Sequence, residues 1–300
     1  MTPSPRREAP WASAVIAGAT VSVAFSAIFI RLAGDDAGTI VWLRMSLAAA
    51  LLAPWAARSF RGTGRRLGLR RAATFAVSGV LLGAHFLLWT ASLAMTSIAA
   101  SVLLVSLHPV IVLPLGARLH HDRIPPRAVA GGALAMIGTV VTAGGDVTLG
   151  PRALTGDAFA VGGAVCLAGY LLIGRGVRAS TGTAAYSAPV FAIAAVVGAV
   201  AAAAGGAPHM PTPRTAALCL ALAVVSTLGG HAAFNWALRF VGAAVVSVAF
   251  LGEAPLATLL GIGVFRTIPA LATLIGGAVI LGGVGLTLFA AGGDAPQQEW

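Results

Sequence analysis

The sequence predicts an all-α integral membrane protein of ten transmembrane helices, arranged as two inverted five-helix repeats. Three observations predict it: a scarcity of charge, apolar runs recurring from end to end, and an internal repeat. Only 9% of the 300 residues are charged and 58% are hydrophobic, with a mean hydropathy of +0.92. A soluble domain wets its surface with about 25% charged residues, so a secreted soluble enzyme behind a signal peptide is excluded. Arg6 and Arg7 ahead of the apolar run from Trp11 do look like a signal n-region. The many later spans make that run an uncleaved first helix instead.

Each apolar run is long enough to cross a hydrocarbon core of ~30 Å. The first three predicted spans are 11–31, 38–57 and 72–95; the next three are 97–118, 127–144 and 155–174. The last four are 184–204, 215–239, 243–265 and 268–291. They are apolar all round, whereas barrel strands would alternate apolar and polar over ~10 residues. Helices follow. Small residues crowd within them, as in Gly79-Val80-Leu81-Leu82-Gly83, which lets backbones approach where lipid gives no hydrophobic drive for packing.

Orientation comes from arginine. All 19 cationic residues are Arg. With the N-terminus in the cytoplasm, inside segments hold 14 of them, densest from Arg58 to Arg71, while outside segments hold Arg31, Arg152, Arg214 and Arg266. Arg44 lies within the second span. The positive-inside rule then puts both termini in the cytoplasm and requires an even number of spans. It also accounts for a net charge of +10 without nucleic acid. Cys166 and Cys219 stand alone in separate apolar runs and give neither a disulfide framework nor a metal spacing. No catalytic residue, cofactor or metal is expected. The expected partners are a small-molecule substrate and membrane lipids, with a homodimer as a further option.

The repeat sets the architecture. LGAHFLLWTASLAMTSIAASVLLVSLHPV begins at Leu82, and LGGHAAFNWALRFVGAAVVSVAFLGEAPL begins at Leu228. An offset of 146 matches Gly83 with Gly229, His85 with His231, Ser101 with Ser247 and Pro109 with Pro255; later, Gly131-Gly132 meets Gly276-Gly277. Five helices per repeat is an odd number, so the second repeat inserts upside down. Inverted repeats build a midplane site between halves that can rock. The expected divisions are a cytoplasmic N-terminus at 1–10, repeats at 11–145 and 152–291, and a cytoplasmic tail at 292–300.

With these features the chain resembles the drug/metabolite transporter superfamily, in its EamA-type branch with two EamA domains. The resemblance rests on two five-helix halves, the Arg loop after the second span, and the stretches SLHPV and LGEAPLATLL. Arg44-Met45-Ser46-Leu47-Ala48 resembles the family's Arg-then-small pattern, and Glu253 near Pro255 its acid ahead of a proline. The family usually closes spans four and nine with a Gly-Glu-Arg-like step. This chain has His121-Asp122-Arg123 and Val264-Phe265-Arg266 there. The resemblance implies a bacterial plasma-membrane protein that exports or exchanges small organic solutes.

Charge inside a span costs roughly 2.5–3.5 kcal/mol by insertion scales, so each such residue needs a reason. Glu253 either exchanges protons or pairs with a cation, or it caps the Leu251 carbonyl that Pro255 leaves without a donor. Arg44 either anchors a carboxylate or snorkels to the headgroups. His85 and His231 hold equivalent places in the two halves, and imidazole is suited to proton exchange. At helical spacing His85 shares a face with Trp89, and His231 with Asn235. Each His could equally bridge helices by a hydrogen bond, and the same pair of readings applies to His108 beside Pro109. Trp89, Tyr170 and Trp236 either line a cavity or simply pack, while Trp11, Trp42 and Trp55 suit an interfacial belt.

The leading reading is a secondary exporter working by alternating access, with proton coupling as an option, since the chain has no nucleotide-binding element. Uptake is the alternative within transport. An intramembrane enzyme would need an asymmetric cluster with a nucleophile or metal, and a scaffold would need no interior polar residues.

Overall fold

The computed structural model describes residues 11–63, 68–96, 101, 104–121, 124–143, 151–178, 180–205, 210–266 and 271–293. The expected N-terminal segment 1–10, residues 294–300 of the expected tail at 292–300, and Asp122 and Arg123 lie outside the described residues. Among the described residues every regular element is helical.

The elements are α1 (Ala12–Ala33), α2 (Ala37–Thr63), α3 (Leu69–Leu93), α4 (His108–His120, preceded by helical residues at 101 and 104–105) and α5 (Pro126–Ala143). They continue as α6 (Pro151–Arg178), α7 (Thr183–Ala204), α8 (Pro213–Ala237), α9 (Ala243–Phe265) and α10 (Leu271–Gly293). Among the described residues, 8 helices are long and apolar enough to cross a membrane, and α5 is a shorter apolar one. Helix ends follow local chemistry. α1 stops at Gly34, whose φ of 61° suits a left-handed cap without a Cβ penalty. α8 starts with Pro213 at its first position and the Thr212 side chain accepting from Thr215 N–H at 3.1 Å, an N-cap of the favoured kind.

The expected fourth and ninth spans are not continuous helices. α4 is interrupted by a turn at 106–107 and α9 by a turn at 251–252. The cause is written in Pro109 and Pro255, which lack the N–H that Val105 and Leu251 carbonyls would need. Near the second break, Leu251 and Gly252 N–H groups turn three residues back, to Val248 and Ala249. Each second half is 13 residues long. Each ends on a non-glycine residue in the left-handed region, His121 at φ 51° and Arg266 at φ 52°, a rare conformation without glycine.

Counterpart helices pack against each other with opposite directions. Gly38 lies against Ala202 while Gly198 lies against Trp42, so α2 and α7 run antiparallel. Gly131 lies against Thr287 and Gly276 against Thr142, so α5 and α10 do the same. In both pairs a Cβ on the glycine would meet neighbouring backbone. Small residues here permit the close approach, as expected where van der Waals packing drives association. α3 packs on α6 and α7, and α8 packs on α1 and α2. Each of these contacts becomes another when the two halves are exchanged.

One departure from symmetry falls on α8. Its segment Leu222–Ala232 winds as a π-helix, whereas its counterpart in α3 is regular α-helix. π-Turns are rare and concentrate at functional sites.

Candidate functional site

Arg44 sits on α2, and its side chain does not snorkel: the residue is 1% exposed. Its Nε and Nη2 donate to Thr227 Oγ1 on α8, at 3.3 and 3.1 Å. The Thr227 hydroxyl itself donates to the Leu222 carbonyl, five residues back, at 3.0 Å. That bond spends the hydroxyl proton within the π-turn and leaves the oxygen lone pairs for the guanidinium. On its other side the guanidinium lies 4.2 Å from the Phe86 ring centroid. A desolvated contact of this kind contributes ~2 kcal/mol. No carboxylate pairs with Arg44 among the described residues. Glu253 is near enough to feel its charge without forming an ion pair.

From Phe86 an aromatic chain runs across the interface of the halves. His85 is 5.1 Å away by ring centroids and lies parallel to Trp89 at 6.3 Å, confirming the shared face on α3. His231 meets Phe86 edge-on at 5.0 Å, Phe250 at 5.4 Å and Tyr170 at 6.5 Å. His108 meets Phe250 edge-on at 6.0 Å. The structure therefore brings Arg44, His85, Trp89, His108, Tyr170 and His231 into one buried cluster.

The two symmetry-related histidines are not equivalent. His85 Nδ1 lies 3.0 Å from the Gly163 carbonyl, whereas His231 Nδ1 has no partner among the described residues. Trp89 Nε1, Ser226 Oγ and Ser247 Oγ are also buried without partners among the described residues. An unpaired buried polar group costs about 1–3 kcal/mol, and native proteins keep few of them. Two of them, on Trp89 and His231, belong to the cluster that holds Arg44, the pattern of a site prepared for a ligand that hydrogen-bonds. Among the described residues no three His, Cys, Asp or Glu side chains come together as a metal-binding set.

Glu253 is half-buried at the first position of the second half of α9. There a carboxylate faces the positive end of the helix dipole. It makes no hydrogen bond among the described residues, so it does not cap Leu251. Asn235 is fully buried in a polar chain: Tyr170 O–H donates to its Oδ1 at 2.8 Å, and its Nδ2 donates to Ser187 Oγ at 2.9 Å. Trp236 stands apart, stacked on Trp11 at 4.4 Å and tilted against Phe240 at 4.6 Å.

Sequence reasoning did not single out Thr227, Phe86, Phe250 or Arg178. Thr227 and the two phenylalanines look like ordinary span residues, and Arg178 looks like a loop charge. Yet Arg178 is 1% exposed. Its Nε donates to the Asn235 carbonyl at 2.7 Å, Nη2 to Thr183 Oγ1 at 2.6 Å, and Nη1 to the Thr181 carbonyl. Arg71 donates to Thr181 Oγ1 and, at 3.2 Å, to the Ser180 carbonyl. These bonds tie α3, α6, α7 and α8 together at the arginine-rich end. A buried Arg with hydrogen bonds on three nitrogens was signalled only by its position at a helix end.

Residues 10–144 match the family described as EamA-like transporter family. A solved crystal structure of a protein is similar over 93% of this chain and 97% of its own, with a TM-score of 0.76 at 20% identity. At that identity it shows the fold alone. Among curated proteins nothing matches. Residues 10–144 are thus similar to the EamA-like transporters, membrane transporters of small solutes, on a fold that the solved structure shares along nearly the whole chain.

Proposed function

We propose that this chain is a secondary exporter of small organic solutes bearing a carboxylate, working by alternating access between two inverted repeats. The observation that carries the reading is Arg44, buried and unpaired by any acid among the described residues. A cation held at that depth needs a counter-charge, and a carboxylate arriving with the solute supplies it. Arg44 would receive it on the guanidinium edge not turned to Thr227, with Trp89 Nε1–H and the Ser226 hydroxyl as further donors. The Phe86 and Phe250 rings would then hold the apolar body.

Antiparallel counterpart helices support the inverted repeat, and the breaks in α4 and α9 supply places where the halves could bend. Rocking about the α2–α7 and α5–α10 contacts would expose the cluster to alternate faces. With no nucleotide-binding motif in the sequence, the drive is an ion gradient or the solute's own gradient, and Glu253, ionisable and without a hydrogen bond among the described residues, suits proton coupling. The arginine distribution supports a plasma-membrane orientation with both termini cytoplasmic. Uptake through the same site is the second reading, and direction of flux separates the two.

The test is ligand-induced stabilisation of the purified protein across paired solutes, each a carboxylate and its neutral amide. Stabilisation follows RT ln(1 + [L]/Kd), so a bound acid raises the unfolding temperature. Stabilisation by some acids and by none of their amides, lost in Arg44→Gln, supports the reading. Equal stabilisation by acid and amide, or none by either class, overturns it.

A further inference from the structure

His108 holds an arrangement that no other histidine in the cluster shares. Its Nδ1 lies 3.0 Å from the Val105 carbonyl and its Nε2 lies 3.2 Å from the Ser247 carbonyl. Both partners are acceptors, and a neutral imidazole has a single N–H to offer. One nitrogen would then point its lone pair at a carbonyl lone pair. An imidazolium donates to both.

The two carbonyls are also the ones that the helix breaks set free. Val105 is four residues before Pro109, which has no N–H to give it. In α9, Leu251 N–H bonds to Val248 rather than to Ser247, so the Ser247 carbonyl lacks its usual partner. Val105 belongs to the first half of the chain and Ser247 to the second. A single ring thus spans the broken helices of both halves, with Phe250 edge-on against it.

We infer that His108 is a proton-binding site whose charged form clamps the two broken helices together and whose neutral form releases one of them. The proton adds to the ring nitrogen that lacks a hydrogen, and no other bond forms or breaks except the hydrogen bond it makes. This deepens the transporter reading by naming a seat for the proton, and Glu253 would then act beside it rather than alone. His85 on α3 is within electrostatic reach of the His108 ring. On the packed faces of α6, Asp157 accepts from Thr96, Tyr170 donates to Asn235, and Arg175 and Arg178 donate to backbone carbonyls. On α9, Glu253 lies within the field of Arg44. None of these groups hydrogen-bonds to the His108 ring.

The test needs no substrate, so it can fail while the transport reading stands. Full-length protein in lipid nanodiscs, labelled with 15N-histidine, is titrated from pH 8 to pH 5, with His108 identified by the signal missing in His108→Gln. In parallel, amide exchange is followed at 104–110 and 247–253 and corrected for its intrinsic pH dependence. The expected result is a His108 ring with two N–H groups at the acid end and one at the alkaline end. Protection of the break amides should fall by about tenfold as the second proton leaves, the scale of losing one charge-assisted hydrogen bond. His108→Gln should flatten that change. A ring with one N–H throughout, or two throughout, overturns the proposal. So does break protection that varies with pH as much in His108→Gln as in the wild type. If His108→Gln does not fold, wild-type signals are assigned through the other histidine variants and the same two outcomes decide.

Discussion

His108 and Glu253 hold the same place in their helices: each is the first residue after a break and opens a 13-residue segment. Those segments close on His121 and Arg266 with nearly the same left-handed turn. The repeat at offset 146 sets Pro109 opposite Pro255, yet the breaks and caps are related by 145. One residue is therefore absorbed near the break, and it brings two ionisable side chains into register. They are bonded very differently. His108 is held on both ring nitrogens, while Glu253 makes no hydrogen bond among the described residues.

Glu253→Gln tests what that difference means. Gln keeps size and hydrogen-bonding capacity but cannot ionise. Gradient-driven flux should fall by at least tenfold, with expression and thermal stability unchanged, because no native hydrogen bond is lost. Wild-type flux with the same pH dependence in the variant would remove Glu253 from coupling.

Glycine substitutions test the helix contacts. A Cβ at Gly276 would meet Gly138 and Thr142 backbone, whereas a Cβ at Gly282 on the same helix meets nothing within 4 Å. Gly276→Ala should cost about 1–3 kcal/mol, the usual range for overpacking, and Gly282→Ala should be neutral or slightly stabilising. Thermal unfolding of the two variants in one detergent checks this. Equal midpoints would contradict the α5–α10 contact.

Orientation can be checked on intact cells. Leu69 is 87% exposed and Met210 is 90% exposed, and the arginine distribution puts them on opposite sides. In a background with Cys166 and Cys219 replaced by Ala, Met210→Cys should label with a membrane-impermeant maleimide. Leu69→Cys should label only after permeabilisation. Labelling of both from outside would contradict the assigned topology.

Lysine at position 44 separates charge from geometry. An ammonium keeps the charge but cannot lie flat on Phe86 while donating twice to Thr227. Arg44→Lys should fold, yet weaken acid binding by ten- to a hundredfold in the stabilisation assay. Thr227→Val should weaken it less, because the guanidinium keeps Phe86 and gains a free edge. Unchanged binding in Arg44→Lys would reduce Arg44 to a simple positive charge.

Much of the fold was legible because lipid imposes simple rules. Charge scarcity, span length and arginine placement each follow from solvation, and small-residue density followed from close helix packing. The shared face of His85 and Trp89 was legible from spacing alone. The breaks in α4 and α9 were less so, since Pro109 and Pro255 could equally have kinked continuous helices. Their cause was visible in the prolines; their position and the one-residue change of offset were not. The π-turn at Leu222–Ala232 left no signal, and Thr227 becomes the partner of Arg44 only through that winding. Trp236 was grouped with Trp89 by residue type, but stacking on Trp11 takes it elsewhere. The Glu253 cap of Leu251 was a sound local argument, yet it is His108, near the other proline, that caps a freed carbonyl.

In the proposed cycle a solute's carboxylate crosses the membrane by way of Arg44. The most direct measurement of that route is flux into or out of proteoliposomes, with wild type and Arg44→Gln reconstituted at equal density and supplied with the stabilising acids and their amides. Wild-type flux of the acids should saturate, flux of the amides should be small, and acid flux should fall at least a hundredfold in Arg44→Gln. Wild-type flux of acid and amide at the same rate, or acid flux unchanged by Arg44→Gln, would contradict that route.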